Sequence, residues 1–110
     1  MPVLSEIKVR SPKEGDLLRG RTPQHLAATY STRPIAGISV VTESRDFGGS
    51  VDIIRAIRPL TDSPILRKDF PRSEADLQET KNAGAQTQLM TVRLLDRDTF
   101  AELHRCAQAI

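Results

Sequence analysis

The sequence contains little of several residue types, and each shortage excludes a class of protein. It has no tryptophan, one tyrosine and three phenylalanines, and its basic residues are scattered. It therefore lacks the basic and aromatic surface with which domains bind nucleic acids. The single cysteine, Cys106, excludes a disulfide framework and a thiolate metal site. There is no apolar run of about eighteen residues and no charged-then-apolar leader, so we expect a cytoplasmic protein with no membrane contact.

Lysine is also scarce, and its placement is informative. The chain of 110 residues carries 16 basic and 14 acidic residues, a net charge of +2. This small imbalance is not typical of a polyanion-binding protein. Only Lys8, Lys13, Lys68 and Lys81 are lysines. Two of them, Lys8 and Lys68, stand where predicted strands end.

The pattern along the chain is strand then helix, repeated four times. Apolar and β-branched runs predict strands over residues 3–8, 37–42, 65–68 and 88–92. Good helix N-caps precede the four apolar helical patterns, and these caps are Thr22, Ser50, Ser73 and Asp96. Units of about 25–30 residues fit parallel β-α-β crossovers. The sequence therefore predicts an α/β fold with one domain over residues 1–110 and a parallel sheet of four units.

Charged residues follow the predicted strands. Arg67, Lys68 and Asp69 stand in a row where the third strand ends, so we expect this segment to meet solvent or a cleft. Glu6 and Lys8 are two residues apart on the first strand and share one face. Since carboxyl ends of parallel strands meet at one edge, Lys68 joins them there. Two cations around one carboxylate suit an anionic substrate, and an ion pair that fixes strand register is the alternative.

Two loops and two histidines carry weaker signals. Residues 11–15 form either a phosphate contact or an ordinary turn. Residues 47–50 form either a lid over a site or a simple helix entry. His25 and His104 lack metal-ligand spacing, and no nucleotide-binding or metal motif is present.

Residues 6–17, residues 38–43 with 47–50, and residues 64–70 together resemble the indole-3-glycerol phosphate synthase family of tryptophan biosynthesis. Their order, spacing and predicted elements agree with the family over the whole chain. The resemblance implies the parallel (βα)4 half of a TIM-type (βα)8 barrel. The polar fourth strand, with Gln86 and Gln88, departs from the family pattern.

The resemblance also implies a reaction and its acid. The family closes the indole ring of 1-(2-carboxyphenylamino)-1-deoxyribulose 5-phosphate, releasing carbon dioxide and water, and uses no metal and no organic cofactor. By this resemblance Lys68 is expected to be the general acid toward the ribulose carbonyl. Lys8 is expected to pair with substrate anions, and Glu6 to orient these groups.

Five further positions match substrate-binding positions of the family. Ser11 and Pro12 match the loop beside the substrate. The expected apolar wall around the anthranilate ring consists of Phe47, Phe70 and Leu89. The partner implied by these matches is a phosphorylated small molecule.

Length leaves two readings open. A full barrel of this type has about 250 residues, so we expect this chain to hold the first four units and to lack the fifth-strand glutamate that serves as base. One reading is a family lyase with low activity. The other is a non-catalytic half-barrel that is completed or covered by self-association, as a homodimer or larger assembly. A neighbouring isomerase of the pathway is less favoured, because Cys106 lies on the wrong element for its acid or base.

Overall fold

The computed structural model describes residues 3–110, which form one layer of parallel strands, four helices and a small hairpin. In chain order the elements are β1 (Leu4–Ile7), β2 (Arg10–Ser11), β3 (Gly15–Asp16), α1 (Pro23–Tyr30), β4 (Gly37–Val41), α2 (Val51–Ile57), a 3₁₀ turn (Arg58–Leu60), β5 (Ile65–Lys68), α3 (Glu74–Ala83), β6 (Thr87–Gln88), a second 3₁₀ turn (Val92–Leu94) and α4 (Arg97–Ala109). Within the described residues, no helix is long and apolar enough to cross a membrane.

The main sheet has the order β1-β4-β5-β6, and all three pairings are parallel. Each new strand joins the edge left by the previous one, as in the wall of a β-α barrel. The register aligns Glu6 with Ser39 and Ser39 with Leu66. The predicted parallel α/β architecture of four β-α units is confirmed.

Strand alternation divides the sheet into two faces. The outer face carries Ile7, Ile38, Val40 and Ile65, which are fully buried and cluster with residues of the helices, chiefly Ala27, Ile54, Ile57 and Ala83. The inner face carries Leu4, Glu6, Ser39, Leu66 and Lys68, of which Leu4 and Lys68 are exposed. The core therefore lies between the outer face and the helices, and the ionisable side chains of β1 and Lys68 lie on the opposite side.

The helices begin where the cap residues predict. Thr22 accepts the backbone N–H of His25 (3.1 Å), Ser50 accepts that of Asp52 (3.1 Å) and Asp96 accepts that of Thr99 (2.8 Å). Ser73 and Asp76 form a reciprocal capping box at the start of α3. Gly84 ends α3 in the left-handed conformation with φ of 103°.

Three features differ from the sequence predictions. The fourth strand covers only Thr87–Gln88 and is followed by a 3₁₀ turn, so its predicted extension to Val92 is wrong. The polar segment after β1 contains the β2–β3 hairpin, with Ser11 paired to Gly15. Arg67, expected to meet solvent or a cleft, is instead buried on the outer face at 7% exposure, because Asp69 and Glu79 neutralise it there.

Candidate active site at the carboxyl ends of the strands

Two lysines converge on one carboxylate at the carboxyl edge of the sheet. Lys68 Nζ donates to Glu6 Oε1 at 3.0 Å, and Lys8 Nζ lies 3.7 Å from Glu6 Oε2. All three side chains are partly open to solvent, with between 33% and 45% of their surface exposed. An ion pair this exposed contributes little to stability because water screens it. The two ammonium groups are therefore both held in place and accessible to a ligand.

The fold fixes Glu6 from two directions. Its backbone is held in register with Ser39 of β4, the central neighbour of β1. On the helix side, the Tyr30 hydroxyl of α1 donates to the Glu6 carbonyl oxygen at 2.9 Å. Strand alternation then points the Glu6 carboxylate to the inner face, where Lys68 can reach it from β5.

A small cavity of about 160 Å³ lies beside the lysines. Five of the residues predicted for the site line it, namely Lys8, Phe47, Lys68, Phe70 and Leu89. Its wall is mainly apolar, with two ammonium groups at one side, as a site for an aromatic anion requires. Phe70 and Leu89 are 44% and 37% exposed, so this wall is partly open to solvent.

Three more residues line the cavity, Val41, Glu43 and Asp69. Val41 is the register partner of Lys68, a relation that only a known strand pairing reveals. Glu43 and Asp69 each follow a predicted strand end closely. This position at the carboxyl edge of the sheet is the sequence feature that indicates a place near the site.

Glu43 organises the loop that carries Phe47. Its carboxylate accepts the backbone N–H groups of Arg45, Asp46 and Phe47 at 2.8, 2.9 and 3.1 Å. Partial burial raises the pKa of Glu43, but these three donors and the Arg45 charge outweigh that effect and hold the pKa below its ordinary value. The loop places the Phe47 ring 5.8 Å from Lys8 Nζ, within the range of a cation–π contact.

Ser11 and Pro12 are not among the residues that line this cavity. They lie in the β2–β3 hairpin, where the Ser11 hydroxyl accepts the Glu14 backbone N–H at 3.0 Å and Pro12 is exposed. The Ser11 hydroxyl therefore supports the turn. No group of three or more metal-ligating side chains occurs among residues 3–110.

Comparison of the chain with known protein families gives a result that agrees with this geometry. The family model for indole-3-glycerol phosphate synthase matches residues 1–110. The chain belongs to this family. The indole-3-glycerol phosphate synthase of Nocardioides sp. is 46% identical over 102 residues, which are 93% of this chain and 39% of that protein. That of Pyrococcus furiosus is 42% identical over 94 residues, which are 86% of this chain and 41% of that protein.

A tryptophan biosynthesis protein of Archaeoglobus fulgidus is 38% identical over 104 residues, which are 94% of this chain and 19% of that protein. The chain thus spans about 40% of the length of the first two indole-3-glycerol phosphate synthase relatives. A sheet of four parallel strands with four helices is the corresponding part of a TIM-type barrel, and the predicted half-barrel is confirmed.

Ionisable side chains of both signs line the cavity, with Lys8 and Lys68 beside Glu43 and Asp69. Two of the three carboxylates near it already have partners, because Glu43 binds loop N–H groups and Asp69 binds Arg67 at 2.8 Å. Only Glu6 faces Lys8 and Lys68. Glu6 is therefore the carboxylate that pairs with both ammonium groups beside the cavity.

Proposed function

We propose that this chain forms the general-acid half of an indole-3-glycerol phosphate synthase site. The substrate is 1-(2-carboxyphenylamino)-1-deoxyribulose 5-phosphate, and the reaction is ring closure with loss of carbon dioxide and water. The observation that carries the proposal is the convergence of Lys8 and Lys68 on Glu6 beside an apolar cavity. Family membership supports the same assignment.

Each side chain has a chemical task in this proposal. Lys68 donates a proton to the ribulose carbonyl oxygen as the new carbon–carbon bond forms, which prevents negative charge from accumulating on that oxygen. General acid catalysis of this kind contributes about 10²–10⁴-fold in rate. Lys8 pairs with the substrate carboxylate until carbon dioxide leaves. Glu6 holds the two ammonium groups apart and directs them toward the cavity.

The apolar wall supplies orientation. Phe47, Phe70 and Leu89 bind the anthranilate ring, while Ser11 and Pro12 of the hairpin lie beside the substrate. Stacking and edge contacts of the aromatic rings orient the carbon that attacks the carbonyl. The partly exposed faces of Phe70 and Leu89 support this role, because a bound ring would remove them from water.

The test uses the chain and two single variants. Formation of indole fluorescence on adding the substrate is followed for the wild type, Lys68→Ala and Lys81→Ala. Lys81 lies on α3 and does not line the lysine cavity, so it is the matched control. We expect a signal from the wild type and Lys81→Ala and a loss of about 10²-fold or more in Lys68→Ala. A signal that survives in Lys68→Ala contradicts the proposal.

A second candidate function is a non-catalytic half-barrel that self-associates. It is favoured by the inner face, where Leu4 is 53% exposed, and by the edges β1 and β6, which pair on one side only within the described sheet. Exposed strand edges and apolar faces are sites of association. A wild-type chain that binds no substrate in a calorimeter but sediments as a dimer supports this reading. A monomer at micromolar concentration contradicts it.

A further inference from the structure

Lys68 is flanked by two oppositely charged residues, Arg67 and Asp69, that bind each other. Arg67 lies on the outer face, where its Nε donates to Asp69 Oδ2 at 2.8 Å, and Asp69 also lines the lysine cavity. Arg67 is only 7% exposed. Because neighbouring residues of β5 alternate between the two faces, a buried Arg67 on the outer face leaves Lys68 on the inner face.

The same pair is connected to three other elements. Asp69 accepts the Thr42 hydroxyl at the end of β4 at 2.8 Å and the Gln88 amide of β6 at 3.2 Å. Arg67 donates to the Thr80 hydroxyl of α3 at 3.1 Å and lies 3.0 Å from Glu79. These contacts join the carboxyl ends of three neighbouring strands to one helix.

Main-chain contacts extend the support to the backbone beside Lys68. The Lys68 carbonyl accepts the Thr42 N–H at 3.2 Å, and the Arg67 carbonyl accepts the Leu89 N–H at 3.0 Å. A lysine side chain is a flexible four-carbon stem, so the position of its nitrogen depends on where the backbone places the stem. The network around Arg67 and Asp69 therefore holds the backbone on both sides of Lys68.

We infer that Arg67 and Asp69 are positioning residues for Lys68. The consequence for catalysis rests on the proposed function, because a displacement of about 1 Å at a reacting group can lower a rate about 10²-fold. The positioning itself does not rest on catalysis, since the contact between Lys68 and Glu6 is present without substrate. A purely structural role for the pair is the alternative that the experiment must separate.

The experiment measures how fast each lysine is acetylated by acetic anhydride, read by mass spectrometry as the ratio of Lys68 to the exposed Lys13. The variants are Asp69→Asn and Thr42→Val, the second of which removes one hydrogen bond to Asp69 with little change in volume. Thr42→Ser, which keeps the hydroxyl, is the conservative variant that should restore the wild-type ratio. Loss of the Lys68–Glu6 contact should raise the ratio about threefold.

Arg58→Lys is the matched control. Arg58 is a half-buried arginine that binds the Thr61 and Ser63 carbonyls, at 2.6 and 2.9 Å, near the amino-terminal end of β5. We expect it to lower thermal stability without changing the labelling ratio. If Asp69→Asn and Thr42→Val also lower stability and leave the ratio at its wild-type value, the inference is wrong.

The labelling experiment tests the positioning, and the indole assay tests the proposed function, so either one can be contradicted without the other. A raised Lys68 ratio in Asp69→Asn together with no indole formation by the wild type upholds the positioning and rejects the reaction. Indole formation by the wild type, with an unchanged labelling ratio in Asp69→Asn and Thr42→Val, supports the reaction and rejects the positioning.

Discussion

Ser39 lies at the centre of the inner face and is 3% exposed, yet its hydroxyl has no hydrogen-bond partner within residues 3–110. A buried hydroxyl without a partner destabilises a fold by about 1–3 kcal/mol. We therefore expect Ser39→Ala to raise the free energy of unfolding by about 1 kcal/mol in urea titrations. A lower stability in this variant would mean that the hydroxyl finds a partner in solution.

The matched comparison for Ser39 is Thr80, a buried hydroxyl whose bonds are satisfied. It accepts from Arg67 at 3.1 Å and is within 2.9 Å of the Asp76 carbonyl. Thr80→Val keeps the volume but leaves the Arg67 guanidinium short of one acceptor. We expect a loss of about 1–3 kcal/mol, the opposite sign to Ser39→Ala.

Glu43 predicts a pH dependence confined to one loop. Its pKa is lowered in the folded chain, so its contribution is complete above the unfolded value near 4.5 and is lost as the pH falls through the lower folded value. We expect the amide proton resonances of Arg45, Asp46 and Phe47 to shift together at a pH below about 4.5. Glu43→Gln should abolish this joint titration. Three amides that titrate at different pH values would contradict it.

At the scale of elements, the end of α3 depends on Gly84 and Arg58. Gly84 has φ of 103°, and a Cβ placed there would lie 2.6 Å from Arg58 Cδ. Arg58 is held by the carbonyls of Gly84, Thr61 and Ser63, so it cannot move aside without losing bonds that connect the α2–β5 and α3–β6 loops. We expect Gly84→Ala to be strongly destabilising for both reasons.

Gly20 separates the two contributions to the Gly84 effect. It also has positive φ, 82°, but a Cβ there meets nothing within 4 Å. Gly20→Ala should cost about 1–2 kcal/mol from backbone strain alone. Gly84→Ala should cost about 1–3 kcal/mol more from the displaced Arg58 side chain. Equal losses in thermal unfolding of the two variants would show that Arg58 adapts freely.

The elements that the sequence predicts well are those with long local signals. Each helix start has a cap residue followed by an apolar period, and β4 is a run of β-branched residues. The hairpin of β2 and β3 and the short β6 have only two residues per strand, which is too few for alternation to be visible. The polar character of Gln86 and Gln88 is explained by their partners, Arg58 and Asp69.

The candidate site was predictable where the strand pattern alone fixed the geometry. Glu6 and Lys8 share a face by spacing, and parallel topology brings Lys68 to the same edge. The burial of Arg67 was not predictable, because it depends on two residues of α3. These are Glu79 and Thr80, which follow Arg67 by twelve and thirteen residues. Without these partners, the sequence Arg67-Lys68-Asp69 is typical of a solvent-exposed segment.

At the scale of the whole molecule, we expect the inner face to determine whether the chain self-associates. It has no helix of the core cluster packed against it, and Leu4, at 53% exposure, extends over Gly37. The chain spans 39% and 41% of the length of two of its relatives. We expect a second copy to cover the inner face in a symmetric contact that removes the Leu4 side chains of both copies from water.

Self-association through the inner face predicts a specific effect of charge at Leu4. We expect the wild-type chain to sediment as a species heavier than 12.2 kDa at micromolar concentration. Leu4→Lys removes one leucine from each copy, and we expect each loss to raise the dissociation constant about tenfold. Leu60→Lys is the matched control, because Leu60 is 48% exposed but lies in the 3₁₀ turn before β5. If Leu4→Lys and Leu60→Lys weaken the association equally, the inner face is not the contact. General repulsion between more highly charged chains would then explain both results.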